Sequence, residues 1–85
     1  MYIHIGQNIS VKADDIIGIF DMDNTTVTGA TRKYLAVAEQ AGRVIYTGYE
    51  LPASFTVCAE DEVKVYISPL TTKTIQKRTK RENVN

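Results

Sequence analysis

Alternation of apolar and polar positions predicts short strands along most of this chain, interrupted by two helical stretches. Residues 2–5 alternate and are rich in aromatic and β-branched side chains, so they read as a strand. Gly6-Gln7-Asn8 is a turn, and residues 9–12 form a short second strand with Ile9 and Val11 on one face. Residues 16–21 are apolar on both faces, with Ile17 and Ile19 opposite Ile16 and Phe20. Such a strand is expected at the centre of a sheet, covered on both sides by a helix or by another subunit. Met22 and the polar residues after it, to Thr26, read as an acidic turn.

Residues 27–42 read as a helix. Ala30, Tyr34, Ala38 and Ala41 recur at helical spacing, flanked by Leu35 and Val37. Thr26 or Thr28 can cap its start, and Gly42 stands where a left-handed C-terminal cap belongs. Residues 43–47 are a fourth strand, and residues 48–53, with Gly48 and Pro52, a loop. Residues 54–59 put Phe55, Val57 and Ala59 on one face; residues 62–68 do the same with Val63, Val65 and Ile67. Joined by an acidic turn, they make the clearest hairpin in the chain. Ser68-Pro69 then supplies an N-cap and first-turn proline for a last helix, with Leu70, Thr74 and Ile75 facing the core.

The order is βββα-βββα, a small single α+β domain over residues 1–80 with a mainly antiparallel sheet, followed by a frayed tail at 81–85. Six strands in 85 residues leave edges and apolar faces that one copy does not cover, so an oligomer is expected.

Composition narrows the chemistry. The only cysteine, Cys58, excludes an internal disulfide and reads as a small core residue of a reducing compartment. One Cys and one His, His4, exclude a zinc cluster. Residues 1–11 lack the basic start of a signal peptide, and no apolar run approaches the roughly 20 residues of a membrane span. A cytoplasmic protein without membrane contact is expected. Net charge is zero but polarised. Residues 1–72 hold five bases against nine acids, net −4, and residues 73–85 five bases against one acid, net +4.

One motif invites an enzymatic reading. Asp21-Met22-Asp23-Asn24-Thr25 matches the D-x-D-x-T signature of haloacid-dehalogenase-type phosphatases, where Asp21 would be the nucleophile and Asp23 the general acid. The context opposes it. That chemistry needs further phosphate and metal ligands on successive strands of a parallel, doubly wound sheet. Only about 60 residues follow the motif, and the downstream candidates, Lys64 and Glu60-Asp61-Glu62, surround a hairpin. An EF-hand fails too, with Thr26 in place of its glycine and Arg32 in place of its last glutamate. No catalytic residue, metal site or cofactor is expected.

Three blocks in order carry a family resemblance: Met1-Tyr2-Ile3-His4-Ile5-Gly6, then Asp15-Ile16-Ile17-Gly18-Ile19-Phe20-Asp21, then Tyr66-Ile67-Ser68-Pro69-Leu70 before a Ser/Thr-rich basic helix. The chain resembles the bacterial extracellular matrix regulators of the RemA/RemB family, closest to the RemB branch, over nearly its full length. The resemblance implies a cytoplasmic, DNA-binding transcriptional regulator of biofilm-matrix genes. It also implies ring-like homo-oligomers that offer a repeated basic surface to the phosphate backbone of double-stranded DNA. RemA-type members carry an arginine pair in the loop before the hairpin and another arginine leading into the central strand. This chain has Tyr49-Glu50-Leu51-Pro52 and Asp14-Asp15 there, so those contacts do not carry over. DNA contact is expected instead at Lys73, Lys77, Arg78, Lys80 and Arg81, with Arg32, Lys33 and Arg43 as weaker candidates. The competing reading is a protein-interaction module whose acidic loops bind a basic partner or a paralogous regulator, without DNA binding of its own.

Overall fold

The computed structural model describes residues 1–25 and 29–83, with side chains placed at 1–23 and 29–80. Strands β1 (Tyr2–Gly6) and β2 (Ile9–Lys12) pair antiparallel, with Ile3 opposite Val11. A 3-10 turn, Ala13–Asp15, leads into β3 (Ile16–Asp21). Helices α1 (Met22–Thr25) and α2 (Gly29–Gln40) follow, then β4 (Val44–Tyr46), β5 (Ser54–Ala59), β6 (Val63–Ser68) and α3 (Thr72–Asn83). The α+β class and the predominance of antiparallel pairing are as the sequence predicts. The six strands divide into the β1–β2 hairpin and a four-stranded sheet ordered β3-β5-β6-β4, in which only β4 and β6 run parallel.

The sheet has two apolar faces. On one, Ile3, Ile5 and Val11 of the hairpin and Ile75 of α3 pack with Cys58 and Tyr66, joined by Ile16 and Ile19. On the other, Ala38 and Leu35 of α2 pack with Phe55, Val57, Val65 and Ile67. The hairpin is tied to the sheet by hydroxyls. Ser68 Oγ donates to the Ile5 carbonyl at 2.5 Å, and Thr47 Oγ1 lies 3.2 Å from the carbonyls of both Ile5 and Ile67. At Gly6 a Cβ would fall 2.1 Å from Thr47 Oγ1, so only glycine permits this approach.

Several expectations are corrected. Strand β3 lies at the sheet edge, not the centre. The β5–β6 hairpin takes the middle, and Phe55 to Cys58 are buried on both faces. The second apolar face of β3 is only partly covered among the described residues: Phe20 stacks on Phe55, and Ile17 is 62% exposed. The acidic turn begins as α1, with Asp21 Oδ1 accepting the Asp23 N–H at 2.8 Å as an N-cap. Helix α2 turns Leu35 and Ala38 inward and leaves Ala30, Tyr34 and Ala41 exposed, so its packed stripe is rotated from the predicted one. Gly42 is the left-handed cap (φ 74°). The caps expected at Thr26 or Thr28 lie outside the described residues.

The last helix starts at Thr72, not at Pro69. Thr71 Oγ1 accepts the Thr74 N–H at 3.2 Å, while Ser68, engaged by Ile5, accepts only the Leu70 N–H at 3.0 Å. Helix α3 runs to Asn83; of the expected tail, 84–85 lie outside the described residues.

Candidate nucleic-acid interface

Helix α3 is mounted on the hairpin face through Ile75, which is fully buried, with Leu70 packed beside it. At 100° per residue, Lys73, Lys77 and Lys80 fall within about 60° of one another, opposite Ile75. All three are exposed. The stripe spans about 10 Å of helix, close to three phosphate-to-phosphate steps along one DNA strand.

Arg78 is turned away from this stripe. Its guanidinium donates to the His4 carbonyl at 2.6 Å and lies 3.2 Å from His4 Nδ1. The other ring nitrogen of His4, Nε2, pairs with the Gln7 carbonyl. This pattern fits an imidazole protonated at Nε2 that accepts from Arg78 at Nδ1. Arg78 therefore clamps α3 to β1 while its charge stays near the surface.

The other predicted cations are not brought to the same place. Arg32 and Lys33 are exposed on α2, across the sheet from α3. Arg43 is half-buried at the entry to β4, where its guanidinium donates to the Val63 carbonyl at 3.1 Å. The side chain of Arg81 lies outside the described residues. The structure thus joins Lys73, Lys77, Lys80 and Arg78 on one helix and separates Arg32, Lys33 and Arg43 from them. Asp14 and Glu50, at the two places where RemA-type members are basic, are exposed.

An acidic cluster underlies the β5–β6 turn. The Tyr66 hydroxyl donates to Glu60 Oε2 at 2.7 Å, and Lys64 Nζ pairs with Glu60 at 3.4 Å. Burial, then the Glu60 hydrogen bond and charge, pushes the Tyr66 phenol above its ordinary range. Burial, reinforced by Glu60 and Asp15, pushes the Cys58 thiol up to about 11. Both groups fold in their neutral form. The thiol's contribution to stability is full below its unfolded value near 9 and is lost as pH rises through the folded value. Denaturant unfolding is expected to show stability falling from pH 9 to 11, and less so in Cys58→Ala; equal stability at pH 8 and 11 would contradict this.

The Asp21 motif does not stand on a parallel, doubly wound sheet. It ends an antiparallel edge strand, and among the described residues no group of three His, Cys, Asp or Glu side chains is placed to hold a metal. No helix among them is long and apolar enough to cross a membrane.

Sequence reasoning missed a groove between α2 and the sheet. It encloses about 450 Å³ and is lined by Ile17, Phe20, Tyr34, Phe55, Val57 and Val63, with Ala30 and Thr31 at the helix side. Phe20 and Phe55 stack within it at 5.1 Å. The doubly apolar pattern of β3 was its only sequence signal.

The fold and this surface define a small α+β domain that carries a cationic helix on one face of its sheet and an apolar groove on the other. No family model matches the chain. Over 78 residues, 92% of this chain and 89% of the relative, it is 32% identical to extracellular matrix regulatory protein B of Bacillus subtilis (strain 168). The chain belongs to the family of that protein.

Proposed function

We propose that the protein is a non-enzymatic regulator of the extracellular-matrix type that works in the cytoplasm as a homo-oligomer and binds double-stranded DNA through phosphate contacts. The observation that carries this reading is the Lys73, Lys77 and Lys80 stripe, held outward by the burial of Ile75 on the opposite side of α3. The family's regulatory name supports it.

Three lysines per copy are too few for tight binding by a monomer. Each phosphate contact releases counterions, so repetition of the stripe around an assembly multiplies the effect. A ring presenting several copies needs no base-reading element, because a bent backbone met at regular intervals supplies the affinity. Transcriptional control of biofilm-matrix genes follows as the biological role of such binding.

A second reading keeps the regulator and removes the DNA. Glu50 and Asp14 are exposed, and residues 1–72 carry net −4, which suits a basic protein partner or a paralogous regulator. Titration of the purified protein with fluorescent duplex DNA separates the two. The first reading requires binding that weakens with salt; the second requires no DNA binding and a retained protein partner.

A further inference from the structure

Two segments far apart in sequence share one side of the molecule. Strands β1 and β2 bury Ile3, Ile5 and Val11 and expose Tyr2, His4, Ser10 and Lys12. Successive side chains of a strand point to opposite faces, so these four point away from the four-stranded sheet. Helix α3 buries Ile75 in the same apolar cluster as Ile3, Ile5 and Val11. The hairpin and α3 therefore lie side by side on one face of the sheet, and the exposed hairpin residues look out on the same side as Lys73, Lys77 and Lys80. Arg78 joins the two, through its hydrogen bond to the His4 carbonyl at 2.6 Å and its approach to His4 Nδ1.

This side is basic throughout. None of the chain's ten acids falls within residues 1–12 or 72–80, yet these segments hold five of its ten bases, Lys12, Lys73, Lys77, Arg78 and Lys80. The nearest acids along the chain, Asp14 and Glu82, lie past the ends of both segments. An ordinary solvated hairpin gains from opposite charges paired across its strands. Here Tyr2 stands opposite Lys12, and Ser10 opposite His4. Lys12 precedes the 3-10 turn without a side-chain cap bond, is exposed, and makes no ion pair among the described residues.

We infer that the outer face of the β1–β2 hairpin and helix α3 form one continuous phosphate-binding surface, in which Lys12 is a DNA contact.

Phosphate oxygens also accept hydrogen bonds from neutral hydroxyls, and such contacts fix a protein's position on a duplex. Tyr2 and Ser10 supply two hydroxyls on the same outer face as Lys12. The surface then holds two rows, the lysine stripe of α3 and the shorter hairpin row beside it. Arg78 holds the rows in fixed relation, because it reaches from α3 to the backbone of β1. Rows fixed before binding meet phosphates without a further ordering cost. The 3-10 turn ends the surface, since Asp14, two residues beyond Lys12, is exposed and repels phosphate.

This inference deepens the DNA-binding reading and rests on it. Its test compares the wild type with Lys12→Gln, Lys12→Arg and Gln40→Glu by titration of a fluorescent duplex at several salt concentrations from ~50 to ~200 mM. Gln40 is exposed at the end of α2, across the sheet, so Gln40→Glu changes the net charge as Lys12→Gln does but on the opposite side. Circular dichroism and thermal unfolding check that all three keep the fold. Lys12→Gln is expected to weaken binding at the lowest salt and to flatten the log–log salt dependence by about one unit per bound copy. Lys12→Arg and Gln40→Glu are expected to follow the wild type. A slope unchanged in Lys12→Gln, beside a wild type that binds with full salt dependence, would overturn this inference and leave the α3 stripe standing. Equal losses in Lys12→Gln and Gln40→Glu would overturn it too, because net charge and not position would then govern binding. A wild type that leaves the duplex unbound at the lowest salt would overturn the DNA-binding reading and this inference together.

Discussion

Replacing Lys73, Lys77 and Lys80 together with glutamine is expected to reduce duplex binding sharply and to lower its salt dependence by about one unit of log–log slope per lysine per bound copy. The three side chains are exposed and, among the described residues, none of them ties α3 to the rest of the fold, and glutamine is as good a helix former as lysine. Thermal stability should therefore stay within about 0.5 kcal/mol of the wild type. The helix remains docked because Ile75 and the Arg78 clamp on His4 are untouched. Arg78 is left out of the triple variant for that reason. Its loss would remove a charge and a tie between α3 and β1 at once, and the two effects could not be separated. Fluorescence titration at several salt concentrations reads the slope. An unchanged slope in the triple variant would remove α3 from the DNA interface.

Ile75→Ala is expected to destabilise the fold by roughly 2–5 kcal/mol, the range for truncating a buried aliphatic side chain. Ile75 is fully buried between the β1–β2 hairpin and the four-stranded sheet, where it touches the cluster that includes Ile3, Ile5 and Tyr66. In a domain of this size each kcal/mol lowers Tm by about 4–8 °C, so a drop of about 10 °C or more is anticipated. Calorimetry at one fixed protein concentration measures it, because any assembly makes Tm concentration-dependent. A change of under about 2 °C, well below that scale, would mean that α3 is not seated on the hairpin face. The orientation of the lysine stripe depends on that seat, so this test of packing is also a test of how the site is held.

Local patterning made the strands and the β5–β6 hairpin legible. Alternation set β2 and an unbroken apolar run set β3 at their observed bounds, and Gly42 announced the end of α2 by its position. What patterning could not supply is what lies against each face. Residues 16–21 are apolar on both sides, a pattern that predicts central burial; the strand is an edge whose Ile17 stays largely exposed. One of the two central strands, β5, hides the polar residues Ser54 and Thr56, both fully buried, among its apolar ones. Ser54 can sit there because its hydroxyl donates to the Leu70 carbonyl at 2.7 Å, a partner 16 residues away.

Long-range hydrogen bonds account for the other differences. Ser68-Pro69 has the local chemistry of a helix start, but the Ser68 hydroxyl is spent on Ile5, 63 residues earlier, and the cap passes to Thr71. The same holds at the site. Helical spacing placed the basic residues on α3 and grouped them. It could not show that Arg78 is committed to His4, 74 residues upstream. Nor could it show that α2 sets Arg32 and Lys33 on the opposite side of the sheet. Tyr49 and Leu51 were visible as a departure from the RemA-type loop, and only the fold shows them uncovered.

The central claim is that repeated α3 stripes bind DNA phosphates. Its most direct test is titration of the wild-type protein against a fluorescent duplex at ~50 and ~200 mM salt, with mass recorded by light scattering in the same buffers. If two or three copies engage the duplex together, they make about six to nine phosphate contacts, and affinity should fall by roughly 10³–10⁵-fold across that range while the multimer persists. A multimer that ignores DNA at both salts would contradict the account and leave the protein-partner reading in its place.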